Sequence, residues 1–157
     1  MSKKILIFSL AYYPHFVSGA EAALREITDR IDPSDIEFHM VTLRFDTNAA
    51  PYERIGNVWI HRVGFGSSYL SKICFVPLAA LRARALHKHH SFDGMWVMMT
   101  YMLLPTVILR FIGTRIPYAL TLQDGDPYEK VFKRWFVRPF VPLIDRGFKL
   151  EIGRAHV

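Results

Sequence analysis

The chain has almost no cysteine: Cys74 is the only one in 157 residues. An intramolecular disulfide is therefore impossible, a Cys-rich structural zinc site is excluded, and a reducing compartment is the simplest setting. No apolar run is long enough to span a bilayer. The longest uncharged stretch, "MWVMMTYMLLPTVIL" at 95–109, falls short of the roughly 18–20 residues a spanning helix needs and is interrupted by Pro105. At the start, "KKILIFSLAYY" has the positive charge and apolar run of a short signal peptide. It lacks a small-residue cleavage site and passes directly into a patterned helix, which argues against export. Internal repeats, low-complexity tracts, the dinucleotide fingerprint G-x-G-x-x-G and the P-loop pattern are absent as well. Acidic residues are scarce, 14 against 20 Lys and Arg, for a net charge of +6.

What is present is a core-forming composition, 51% hydrophobic, which suits one globular domain. Strand and helix patterns alternate along it. Lys4 to Leu10 reads as a buried strand, and Ala20, Ala23, Leu24, Ile27 and Ile31 then recur at helix spacing until Asp32 and Pro33. "EFHMVTLR" at 37–44 and "NVWIHRV" at 57–63 read as strands joined by a polar loop, 45–56, carrying Pro51 and Gly56. From Ser68 to His90 the positions Leu70, Ile73, Cys74, Leu78, Leu81 and Ala85 predict a helix, kinked or restarted at Pro77. "DGMWVMM" is a strand, "MLLPTVILRFI" a helix stopped by Gly113, and "PYALTLQ" the next strand. The alternation predicts an α/β fold: a Rossmann-like, doubly wound, mostly parallel sheet with helices on both faces.

In such a sheet ligands bind beyond the carboxyl ends of the strands. Three loops converge there: "AYYPHFVSGAE" at 11–21, "MTY" at 99–101 and "QDGDPYE" at 123–129. At the first, free N–H groups and the positive end of the helix dipole favour an anion, and Gly19 lets a phosphate approach the backbone. Ser18 or Gly19 also serves as an ordinary helix cap, and local chemistry leaves both roles open. At the third, Asp124 fits an Asp-Gly turn and Asp126 an Asp-Pro helix start. Either carboxylate is also placed to accept a proton or a hydroxyl hydrogen bond.

The order "KILIFSLAYYPHFVSGAEAALREITDRI", "HMVTL", "WIHRVGF", "FDGMWVMMTY" and "IPYALTLQDGDP" resembles the N-terminal half of a glycosyltransferase family 4 enzyme over nearly all of residues 4 to 130. The resemblance implies one half of a GT-B fold, in which two Rossmann-like domains face a cleft. It further implies a hexosyltransferase-type transfer of sugar with retention, from a nucleotide-sugar donor to a glycan or lipid-linked acceptor, as in polysaccharide biosynthesis. No cofactor and no metal are expected. Gly19 matches the second glycine of the loop that approaches the donor diphosphate, with Ser18 where the first glycine usually stands. Glu21 matches the acidic residue that opens the helix. Gln123 falls where many relatives carry a histidine near the transferred sugar; an amide positions hydroxyls but cannot titrate near neutral pH. Asp126 and Gln123 are assigned to catalysis, Ser18 and Gly19 to the donor phosphate, and His15, Glu21, Thr100, Tyr101 and Asp124 to the acceptor.

The domain reading is 1–150 as a truncated acceptor-side domain lacking its donor-binding partner, inactive alone. Residues 151–157, "EIGRAHV", are read as a translated sequencing adapter. The bases are unevenly placed. Residues 69–90 carry Lys72, Arg82, Arg84 and Lys88 against no acid, and 128–150 carry six bases against Glu129 and Asp145, so these stretches sum to +8 of the total +6. Such basic segments, aromatic in the second case, suit either an anionic membrane or the absent domain. A cytoplasmic protein, peripheral on the inner face of the membrane, is expected. The "HKHH" run at 87–90 has no matching carboxylate or thiolate nearby in sequence and reads as a solvated helix end. Two rivals stand beside transfer: half of a nucleotide-sugar epimerase of the same architecture, and a non-catalytic basic membrane- or nucleic-acid-binding module, the latter without any nucleic-acid motif.

Overall fold

The computed structural model describes residues 2–14, 17–122 and 141–152, with side chains in the last segment through 147. Six strands form one sheet in the order β3-β4-β2-β1-β5-β6. They are β1 (Lys3–Phe8), β2 (Ile36–Leu43), β3 (Tyr52–Ile55), β4 (Val58–Val63), β5 (Gly94–Met98) and β6 (Tyr118–Thr121). All neighbours are parallel except β3, which pairs antiparallel with β4. Helices α1 (Gly19–Asp29), α2 (Tyr69–His90), α3 (Leu103–Phe111) and α4 (Val141–Ile152) complete the described elements, with a 3₁₀ turn at Thr100–Met102. The expected Rossmann-like α/β architecture is what the chain adopts.

The chain leaves β1 for β2 and β4, then returns across the sheet through α2 to β5. The strand order therefore reverses between β1 and β5, the position where a doubly wound sheet opens a crevice. Alternate residues of each strand feed opposite faces. Ile7, Met40, Val58 and Ile60 pack with Ala20 and Leu24 of α1, whereas Leu6, Phe8, Val41 and Val97 pack under α2, α3 and Ile144 of α4.

Several boundaries and faces differ from expectation. The first strand ends at Phe8 and α1 at Asp29. On α1 the buried line is Ala20, Leu24 and Thr28, with Ile27 exposed; the Thr28 hydroxyl is satisfied by donating to the Leu24 carbonyl at 3.0 Å, so a polar residue displaces an apolar one from the core side. The loop 45–56 contains β3, a short charged strand that follows Pro51 and guards the sheet edge, as edge strands do. Pro77 does not end α2, which continues as one helix through it. The α2 stripe is also reversed. Phe75, Val76, Ala79, Ala80, Ala83 and Leu86 face the sheet, whereas Leu70 is 62% and Leu81 55% exposed, and Ile73 and Leu78 also face outward. Small alanines let the helix lie close to the strands, and the larger side chains are left outside.

Candidate functional site

Because β1, β5 and β6 are parallel and adjacent, with Phe8 level with Val97 and Met98 with Thr121, their carboxyl ends open on one side of the sheet. The loop after β1 is tied down early. The Leu10 carbonyl accepts from the Leu43 amide at 3.1 Å and from the Thr42 hydroxyl at 2.9 Å. Further along, the Arg62 guanidinium donates to the Tyr13 carbonyl at 3.1 Å and to the Ala50 carbonyl at 2.9 Å, and it pairs with Glu53. Arg62 thereby ties this loop to the β3–β4 edge. Tyr12 packs beneath α1, and burial pushes its phenol up to about 12, so it stays protonated.

Ser18 is the N-cap of α1, and Glu21 at the third helical position completes a capping box. The Glu21 carboxylate accepts from the Ser18 amide at 2.7 Å and from the Ser18 hydroxyl, and Glu21 is only 5% exposed. Its carboxylate therefore orients Ser18 instead of standing free in solvent. Gly19 is different: a Cβ built there would meet nothing within 4 Å. Among the described residues no contact requires glycine at this position, and the first-turn amides of a helix have no acceptor of their own. The corner is open from outside.

After β5 the backbone is strained. Met99 has φ 69° and ψ 157°, a region that is essentially glycine-only and costs a larger residue about 1–3 kcal/mol. Its amide donates to the Thr121 carbonyl at 2.9 Å, prolonging the β5–β6 ladder by one step before the chain turns. Thr100 follows, buried at 2% exposure. Tyr101 is half-buried, and its hydroxyl donates to the Lys72 carbonyl of α2 at 2.9 Å; burial pushes its phenol up to about 12. Thr100 and Tyr101 thus sit at the crevice with side chains turned to the protein, which leaves the backbone at 99–101 as what they present. At the carboxyl end of β6, the Trp96 indole donates to the Thr121 hydroxyl at 2.8 Å.

The structure brings Ser18, Gly19, Glu21, Thr100 and Tyr101 to the carboxyl side of the sheet. His15, Gln123, Asp124 and Asp126 lie outside the described residues. Met99 lies in a loop the sequence points to, although its strain does not show there, and Arg62 lies outside every loop it points to. A methionine gives no sign of positive φ, and an arginine inside a strand looks like a surface charge until its carbonyl partners are seen.

No family model matches the chain, and no curated protein matches it. Solved structures do. Sucrose-phosphate synthase from Thermosynechococcus elongatus superposes with a TM-score of 0.68 at 14% identity, over 89% of this chain and 39% of that one. A second sucrose-phosphate synthase structure from the same organism gives 0.58 at 12% identity, over 85% of this chain and 82% of that one. The chain therefore spans about two fifths of the first of these neighbours. At such identities the likeness establishes a glycosyltransferase-like fold.

Proposed function

We propose that the intact protein is a retaining glycosyltransferase that moves a sugar from a nucleotide donor to a hydroxyl of a glycan or lipid-linked glycan, and that this chain is its acceptor-side half. The observation that carries the reading is the open Gly19 corner beside the strained turn at Met99, both at the crevice of a glycosyltransferase-like fold. The donor diphosphate lies against the α1 amides, where the dipole and the missing Cβ favour it. Ser18, whose amide and hydroxyl are both given to Glu21, holds the first turn in place beside the phosphate. Gln123 positions sugar hydroxyls, and Asp126 receives the acceptor proton. His15, Asp124 and the backbone at 100–101 contact the acceptor.

A lipid-linked acceptor fits the outward face of α2. Leu70, Ile73, Leu78 and Leu81 are exposed there on a helix whose formal charges, Lys72, Arg82, Arg84 and Lys88, are all positive. Arg110, Arg115 and Arg146 surround the exposed Phe111 on the same side of the sheet. Apolar side chains ringed by bases suit the surface of an anionic membrane, with the protein peripheral and cytoplasmic. No described helix is long and apolar enough to cross one.

The test is Gly19→Val in the intact protein, compared with wild type for donor turnover and thermal melting. Turnover is expected to fall at least tenfold with the melting temperature unchanged, because the new side chain fills only external space. Undiminished turnover would overturn the phosphate role. Sugar transfer catalysed by residues 1–150 alone would overturn the assignment of the donor half elsewhere, and epimerised donor with no transfer would favour the epimerase.

A further inference from the structure

At the opposite end of the sheet, the amino ends of the strands, two neighbours on β2 meet a residue from the far end of α2. Glu37 and His39 lie two residues apart on β2 and share the face beneath α2; His90 closes that helix. The Glu37 Oε1 is 2.5 Å from His39 Nε2 and 3.8 Å from His90 Nδ1, and all three atoms fall within 4.8 Å of one another. His39 is buried, whereas Glu37 and His90 are each about 30% open to solvent, so the cluster has a mouth. The carboxylate that the "HKHH" run lacks in sequence is thus supplied from 53 positions away, as Glu37 is to His90. We propose that Glu37, His39 and His90 form a site for a divalent cation of the zinc class, with a water or outside ligand in the fourth position.

Two imidazoles and one carboxylate are the donor set such a cation prefers. Burial holds His39 and His90 below the ordinary imidazole value, and the hydrogen bond from His39 holds Glu37 below the usual carboxylate range. The ligand atoms must reach about 2.0–2.2 Å from the metal. That requires the Glu37–His39 contact to open and His90 to close in, both small side-chain movements at a half-exposed rim.

The surroundings dictate where protons go. Arg82 can only donate, and it lies 3.1 Å from His61 Nδ1, so His61 carries its proton on Nε2. That proton points at His39 Nδ1, 3.1 Å away, which leaves the His39 proton on Nε2, facing Glu37. A metal takes the place of this last proton. Charge is conserved if the protons of His39 and His61 both move to Nδ1; His39 then donates to His61, and the exposed Arg82 swings into solvent. Orientation of a ligating histidine by a polar partner on its other ring nitrogen is the usual arrangement around bound zinc. Nearby, the Lys4 ammonium is 3.8 Å from the second Glu37 oxygen and keeps that oxygen from turning inward.

The experiment is titration of the chelator-stripped chain with Zn²⁺, and with Co²⁺ for its visible spectrum. One equivalent is expected, with a tetrahedral-strength cobalt band and a higher melting temperature in the loaded protein. Glu37→Gln keeps the shape and the hydrogen bond to His39 but removes the charge; it and His90→Gln are each expected to weaken binding at least tenfold while still folding. His89→Gln, one residue from His90 and exposed, is expected to bind as wild type. Arg82→Ala, which frees the proton shift, is expected to bind at least as tightly. Equal losses from His89→Gln and His90→Gln would show adventitious binding to the histidine run, and an unaffected Glu37→Gln would likewise overturn the site. Weaker binding by Arg82→Ala would overturn the proton shift.

Discussion

Helices α1 and α2 both begin at a serine in extended conformation, yet their starts are finished differently. At α2 the Ser68 hydroxyl accepts from the Ser71 amide at 3.2 Å, and the fully buried Ser71 hydroxyl accepts from the Phe65 amide at 3.0 Å. Gly64, at φ +100°, leaves no room for a side chain: its Cβ would sit 2.6 Å from Leu43 Cδ1 and 3.1 Å from Ser71 Oγ. That corner is sealed by its own chain. At α1 the glycine faces open space. A glycine demanded by internal packing reports on folding, and one that nothing internal demands is available to a ligand.

The sharpest way to break this contrast is Gly64→Ala. Positive φ and a close contact act together, so a loss of about 2–4 kcal/mol is expected, read as a fall in melting temperature of roughly 5–15 °C. Ser71→Ala should follow at about 1–3 kcal/mol, since the Phe65 amide loses its acceptor; denaturant titration measures it.

Next comes acid, which acts on the sheet side of α2. His61 is stacked on His39 and bordered by Arg82 and Tyr52, and burial, with Arg82 beside it, pushes its pKa from 6.5 down to about 3. The unfolded chain takes up a proton near 6.5 that the fold refuses. The stability from neutral His61 is therefore complete above that value and lost progressively as pH falls toward 3. Between pH 7 and 5 a loss of about 1–2 kcal/mol is expected after allowance for screening, and His61→Gln should flatten the melting curve against pH over that interval. Disruption of the α1 capping box by Glu21→Ala should cost about 0.5–2 kcal/mol. Smallest is Gly19→Ala, expected to leave stability unchanged or raised by up to about 1 kcal/mol. A large loss there would erase the difference between the two corners.

Much of the architecture was legible in the sequence, because β1, β2, β4, β5 and β6 are apolar runs separated by helix-spaced segments. β3 was hidden by its length and charge, four residues reading Tyr52, Glu53, Arg54 and Ile55. The buried side of α2 is not legible from side-chain size. The packed line is built largely from Ala79, Ala80 and Ala83, and the leucines face out. At the crevice, the turn chemistry of Ser18 and Gly19 was visible, since capping and positive dipole are local properties. The turn at Met99 and the meeting of Glu37, His39 and His90 were not. Strain depends on what the sheet imposes, and a cluster drawn from β2 and the end of α2 exists only after the chain has crossed the sheet.

One feature of α2 reaches further. Its Lys72 carbonyl receives the Tyr101 hydroxyl at one end, and His90 meets Glu37 at the other. Those residues are 18 positions apart, about 27 Å along the axis at 1.5 Å per residue. A straight helix is stiff over that length, so it behaves as a lever: a tilt of its far end displaces the turn after β5 in proportion. Pro77, which removes one rung of the hydrogen-bond ladder, is the point at which that lever can flex. One helix therefore bridges both ends of the sheet, and the missing rung at Pro77 is where that bridge is least stiff.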